Sequence, residues 1–286
     1  TNGQWWDGWS GDNPTFNILD LFYTANGERP ADDATFPKKA DWLKSAKKSG
    51  LNVDREEIIN YNVGREPRYY ADFSFDGDDY SSLIRDGKPL RVNLRNSDEQ
   101  GYDHNHANRN LCQTGFFTKK WIRPNLRLSG ANGGNIWTYY PRPILRLAEL
   151  YLNAAECYCE LGETDQCLKY LNVIRERAGV RDLTKSDITE KMTLRDWVHN
   201  ERAIEFYFEG QRYYDLRRWC EAPEVLSKPR RGLDSFRSSR RNPTFEQLNT
   251  EITVDQPFAW NNRLYLIPIP ATELYSNPNL VQAPGY

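Results

Sequence analysis

The chain has 286 residues, long enough for one large domain or two ordinary ones around a sizeable core. Lys and Arg total 38 against 40 Asp and Glu, and this balance speaks against nucleic acid or another polyanion as the partner. No uncharged apolar run approaches the roughly 20 residues that a membrane-spanning helix needs, and aromatic residues, 13% of the chain with 9 Trp and 17 Tyr, carry much of the apolar content.

The first dozen residues combine Gly, Asn and Asp with Trp5, Trp6 and Trp9 and keep neither a helical nor a strand period, so they read as a loop. Asn13 and Pro14 then give an N-cap and first helical position, with Ile18, Leu19 and Phe22 on one apolar face of a short helix. The lysine-rich stretch from Pro37 to Gly50 reads as a peripheral helix or insertion. Alternation of Tyr69, Ala71, Phe73 and Phe75, closed by Asp76-Gly77, predicts a strand running into a hairpin. Between Ser97 and Gly134 the chain is rich in Asn, Gly and Asp, with one further strand predicted from Phe116 to Trp121.

From Arg142 the helical signal is strong. Ile144, Leu145, Ala148, Tyr151, Leu152, Ala155 and Cys159 recur at spacings of three and four, and Gly162 ends the run. Thr164 then opens a helix whose inner face is Cys167, Leu168, Leu171 and Ile174. With Ala155 and Cys167 at a close crossing, the two helices form a pair similar to one tetratricopeptide unit. A second pair opens with Thr193 and Asp196 spaced as a capping box. Leu194, Trp197, Val198, Ile204 and Phe208 share a face, Glu209-Gly210 closes that helix, and Tyr213, Leu216 and Trp219 belong to its partner. Arg230, Arg231, Arg237, Arg240 and Arg241 read as a solvated loop. In the tail, Pro268, Pro270, Pro278 and Pro284 predict an extended ribbon with Leu264, Leu266 and Ile267 packed down.

The five cysteines, Cys112, Cys157, Cys159, Cys167 and Cys220, show no C-x-x-C spacing, which disfavours zinc and favours buried thiols within the helices. His104 and His106 lie in an Asn-rich loop without a nearby Cys pair, and the Asp72, Ser74, Asp76, Gly77, Asp78 run has Leu83 where a calcium loop needs Glu. No phosphate loop, nucleophile elbow or zinc-protease helix is present, so neither metal nor cofactor is expected. Glu201, Arg202, Glu205, Glu209, Arg212, Asp215, Arg217 and Arg218 form a dense charged cluster. Glu201 and Glu205 lie one helical turn apart with arginines in reach, the pattern of interhelical ion pairs rather than of two carboxyls facing a cleft.

Three segments in this order carry a family resemblance: Arg142 to Gly162 (RPILRLAELYLNAAECYCELG), Asn200 to Trp219 (NERAIEFYFEGQRYYDLRRW) and the chain end (LYLIPIPATELYSNPNLVQAPGY). Together with the weaker NPTFNILDLFYTANGERP and GREPRYYADFSFDG, they make the chain resemble the SusD-like (RagB/SusD) nutrient-binding lipoproteins of the outer membrane of Bacteroidetes. The resemblance implies a mainly α fold of tetratricopeptide-like helix pairs packed with a loop-rich region containing short strands. It implies that residues 1–286 are the carboxy-terminal portion, the amino-terminal helices, signal peptide and lipid-anchor cysteine lying outside this sequence. It also implies a non-catalytic glycan-binding role beside a SusC-like TonB-dependent transporter.

For ligand contact the sequence singles out Trp5, Trp6, Asp7 and Trp9, then Trp137 with Tyr139 and Tyr140 beside it. Pyranose C–H faces pack on indole rings while Asp7 and Asn2 bind hydroxyls. Each ring has an alternative role as a core anchor. Two other readings stay open: a glycoside hydrolase using an Asp/Glu pair, and a helical-repeat interaction module that binds no sugar.

Overall fold

The computed structural model describes residues 12–47, 57–85, 88–102, 111–121, 127–128 and 143–286. The chain divides into two compact units, Thr1–Glu205 with Arg231–Val254, and Phe206–Arg230 with Asp255–Tyr286. The longest described elements are helices of 14, 14 and 12 residues, against strands of 2 to 7, which makes the fold mainly α.

In the first unit, α1 (Phe16–Leu19) is a single turn and starts later than Asn13-Pro14 suggests. Asn13 does not cap it, because its side chain ties two other groups: it donates to the Phe116 carbonyl at 3.2 Å and accepts from the Gln113 amide at 2.9 Å. Of the peripheral helix or insertion expected from Pro37 to Gly50, the described part holds no α-helix. A 3-10 turn at Lys39–Asp41 leads into β1 (Ser45–Lys47), paired antiparallel with β2 (Glu57–Ile59). Trp42 is drawn inward there, its indole N–H on the Pro37 carbonyl and its ring against Phe36 and Tyr61.

The strand expected from Tyr69 is a helix, α2 (Pro67–Asp72), and only β3 (Phe73–Phe75) is extended. Pro67 occupies the first helical turn, where its missing N–H costs nothing. Tyr69 and Phe73 are four apart and both buried, so the same spacing served a helix as well as a strand. The hairpin forms one step later, between β4 (Asp79–Arg85) and β5 (Lys88–Arg91), while β3 pairs with β6 (Phe116–Thr118) and β4 with β7 (Arg127–Leu128). Phe16, Phe22, Tyr61, Tyr69, Phe73 and Phe116 meet mostly edge to face. Arg65 sits among them, its guanidinium over the Tyr61 and Tyr69 rings at 4.5 and 4.2 Å and donating to the Leu19, Phe22 and Tyr61 carbonyls.

The helical layer begins with α3 (Leu147–Glu160), not at Arg142. Arg146 is still extended, and Ile144 and Leu145, expected on the inner face, are exposed. Gly162 takes a positive φ of 78° at the turn into α4 (Thr164–Arg177), for which Glu163 rather than Thr164 holds the cap position. Cys167, Leu168, Leu171 and Ile174 are buried as their spacing predicts, and Ala155 of α3, which packs on α4, is buried too. The pair follows the tetratricopeptide pattern, and α5 (Leu194–Glu205) packs on both helices. Thr193 and Asp196 form the expected capping box, with bonds of 2.8 and 3.2 Å between each backbone amide and the other side chain.

The helix expected to continue to Glu209 ends at Glu205, and Phe208 lies at a positive φ of 58° with its ring exposed. In the second unit, α6 (Arg212–Arg218) and α7 (Ala222–Leu226) bury Leu216 and Ala222. The arginine stretch is only partly a solvated loop: Arg237, Arg240 and Arg241 are exposed and lie outside helix and strand, as expected, whereas Arg230 and Arg231 lie in a strand. It supplies β8 (Arg230–Leu233), and after α8 (Phe245–Leu248) the chain returns as β9 (Glu251–Asp255) beside it. Arg231 pairs with Asp20 and Glu251, Arg230 with Asp255, and Arg240 with Asp234. The tail holds a 3-10 turn at Asn262–Tyr265 and α9 (Ala271–Ser276), which Pro270 precedes. Leu266 and Ile267 are exposed instead of packed down.

Candidate functional site

The residues singled out for ligand contact, Trp5, Trp6, Asp7, Trp9 and Trp137, lie outside the described residues, as do Asn2, His104, His106, Tyr139 and Tyr140. What is described is the charged cluster on α5 and the side chains packed against it. Glu201 and Glu205 project from one face of α5 into unit 1, and both are buried. Between them stands Arg68 of α2, with one Nη at 2.7 Å from Glu201 and 3.2 Å from Glu205 and its Nε at 2.8 Å from Glu66. Glu66 turns its other oxygen to the Tyr23 amide.

Each glutamate has a second layer of arginine. Arg175 of α4, 0% exposed, reaches Glu201 at 3.1 Å, donates to the Arg181 and Gly27 carbonyls, and lies over the Tyr23 and Trp197 rings. Glu205 takes Arg146 at 2.8 Å and Arg177 at 2.5 Å, while Arg146 and Lys120 also hold its backbone carbonyl. Arg202, grouped with them by sequence, points away to Asn153 and Glu156. Asn200 ties α5 to the Leu21 carbonyl. Arg68, Glu66, Arg146 and Arg175 were not among the residues the sequence marked. The available signal was Arg175 itself, a charge seven residues after Leu168 and four after Leu171 on a stripe that faces the core.

The titration behaviour follows from these neighbours. Burial pushes Glu205 up, and the hydrogen bond from Arg146 with the charges of Arg68 and Arg177 outweighs it, so the carboxyl lies below its ordinary value. Glu66 lies above its ordinary value because burial outweighs Arg68, and the charge of Glu201 adds to the rise. Burial raises Asp72 to about 6 against the pull of Lys120 and Arg68. A general acid and base must reach a substrate, whereas Glu201 and Glu205 are closed to solvent and committed to guanidinium groups. Their arrangement holds α2, α4 and α5 in register. Among the described residues no group of three or more His, Cys, Asp or Glu is placed to hold a metal ion.

The rest of the cluster belongs to the second unit. Asp215 pairs with Arg218 within α6 at 2.8 Å, and Arg217 donates to the Tyr265 carbonyl. Burial holds Arg212 below its ordinary value despite the charges of Glu221 and Asp215. Trp260 meets Tyr265 edge to face at 4.8 Å, and Arg263 covers the Tyr286 ring. The Asp215–Arg218 ion pair is local, where those of Glu201 and Glu205 join distant parts of the sequence.

Comparison with known proteins gives one answer throughout. The SusD family model matches residues 1–286. SusD-like protein P2 of Formosa agariphila is 33% identical over 166 residues, which are 56% of this chain and 28% of that protein. The solved structure of BT4246 is 46% identical with a TM-score of 0.90, covering 98% of this chain and 45% of its own. A SusD-like protein (BF3747) from Bacteroides fragilis NCTC 9343 is 31% identical with a TM-score of 0.67, covering 96% and 47%. The chain thus spans less than half the length of these solved relatives. With its whole length matched by the family model, the chain belongs to the SusD family.

Proposed function

We propose that this chain is the carboxy-terminal portion of a cell-surface protein that binds oligosaccharide without cleaving it and delivers it to a SusC-like TonB-dependent transporter of the outer membrane. The observation that carries the reading is the family match along residues 1–286. The buried ion-pair frame supports it from the other side, because the densest carboxylate cluster among the described residues serves to fix helices and offers no acid–base pair to a substrate.

Capture proceeds by stacking. Trp5, Trp6, Trp9 and Trp137 present indole faces to the C–H faces of pyranose rings, and Asp7 accepts from sugar hydroxyls. No bond is made or broken, and no cofactor or metal is needed. The full-length protein is held at the outer membrane by a lipid on its amino-terminal part and faces outward. The test is a panel of oligosaccharides titrated against the chain, with each mixture then analysed for shorter sugars. Saturable binding with intact sugar supports the reading, and released product points to a glycoside hydrolase instead.

A further inference from the structure

The α3–α4 hairpin carries two cysteines that the glycan-binding reading does not use. Cys159 lies one turn before the connection, its carbonyl accepting from the Gly162 amide, and Cys167 lies one turn after it, its amide donating to the Glu163 carbonyl. The two are therefore at the same level of two antiparallel helices. Cys167 is completely buried between them, while Cys159 is half-buried and reachable from solvent. The helices also meet beyond this level, away from the connection: Tyr158 stacks on Tyr170 at 5.5 Å and Tyr151 contacts the same ring at 6.0 Å. Small Ala155, fully buried one turn earlier on α3, lets them approach.

We infer that Cys159 and Cys167 are a thiol pair that a small-molecule disulfide oxidises to a covalent staple across the helical hairpin. Both thiols are free, and they lie one turn to either side of the same connection. The roles within the pair are unequal. The Cys167 S–H donates to the Cys159 sulfur, which lowers the Cys159 thiol below its ordinary value, while that bond and burial raise Cys167. Arg195 of α5 also lowers Cys159, against the opposing charges of Glu160 and Glu156.

Cys159 is accordingly the attacking group. Its thiolate displaces one thiolate from glutathione disulfide, forming a mixed disulfide and releasing one glutathione. Cys167 then loses its proton, attacks the Cys159 sulfur and expels the second glutathione. Two protein thiols and one disulfide yield one protein disulfide and two glutathione thiols. The staple closes the helix pair that presents Arg175 and Arg177 to α5, so it stiffens the support of the ion-pair frame. Exposed Cys157 lies two residues from Cys159 and has no such partner across the hairpin among the described residues.

The test exposes the full chain, with Cys112, Cys157 and Cys220 changed to Ser, to glutathione disulfide at neutral pH. The intact mass is expected to fall by about 2 Da, with peptide mapping joining residues 159 and 167 and Tm rising by a few degrees. Cys167→Ser is expected to trap glutathione on Cys159 with a mass gain of about 305 Da, and Cys159→Ser to take up little. An unchanged mass, or glutathione that stays on Cys159 with Cys167 present, overturns the inference. So does equal labelling of the two single variants.

Discussion

The segment from Asn200 to Trp219 is one run of alternating glutamate, arginine and aromatic residues, yet its two halves do different work. In the first half Glu201 and Glu205 pair with Arg68, Arg146, Arg175 and Arg177, which come from up to 137 residues away. In the second, Asp215 pairs with Arg218 three residues on, inside one short helix. Residue type is the same in both. Removing one partner of a long-range buried pair leaves a charge without water or partner, whereas in the local pair Arg218 is half-exposed and solvent replaces it at little cost.

Mutation of the first half should therefore have the largest effect. Glu201→Ala leaves the buried Arg175 charge without its carboxylate and takes from Arg68 the nearer of the two carboxylates on its Nη, and unfolding in urea should show a loss of about 3–5 kcal/mol. A loss near that of a surface change would remove the distinction between the halves. Next, a cycle of Glu201→Gln with Arg175→Met should show a coupling of about 1–3 kcal/mol, because each change alone strands the other partner. Independent, additive losses would mean that the 3.1 Å contact does not join α4 to α5 energetically.

The interior around Arg68 also predicts a pH dependence. Asp72 titrates near 6 when folded against an ordinary value of 3.8, so the folded chain holds this proton more tightly than the unfolded one. Its contribution to stability is fully present below about 3.8 and lost as pH rises through about 6. Asp72→Asn should flatten that window by about 2 kcal/mol in urea midpoints taken from pH 4 to 7. A variant with the wild-type slope would place the titrating group elsewhere.

A smaller effect is expected at Gly27, whose φ is +75° and whose added Cβ would stand 3.0 Å from Arg175 Nη2. Gly27→Ala should cost about 1–2 kcal/mol, read by the same unfolding curves. Arg218→Ala in the second half should cost under about 1 kcal/mol, since Arg218 is 44% exposed and Asp215 lies in the same helix. A cost matching that of Glu201→Ala would show that the halves are equivalent.

What the sequence disclosed follows the range of the interactions concerned. The α3–α4 pair, Gly162 and the Thr193–Asp196 box depend on neighbours within a turn, and a period of three or four residues records them. The α2 helix was misread because Tyr69 and Phe73 satisfy both periods, although Pro67 marked a helical first turn. The start at Leu147 was missed because Ile144 and Leu145 extend the apolar rhythm without being buried. Arg175 shows why the cluster's purpose was only half legible: Glu201 is 26 residues away and Gly27 is 148. The family was legible through the whole ordered set of segments. The residues proposed for ligand contact, Trp5, Trp6, Asp7, Trp9 and Trp137, were chosen from their local composition alone.

Calorimetric titration of the chain and of a Trp5→Ala, Trp6→Ala, Trp9→Ala variant with the best oligosaccharide of the panel tests the central claim most directly. The account predicts saturable binding to the native chain, intact sugar recovered afterwards, and loss of that binding in the variant with its folding unchanged. Affinity that survives the triple substitution, or sugar recovered as shorter pieces, would contradict it.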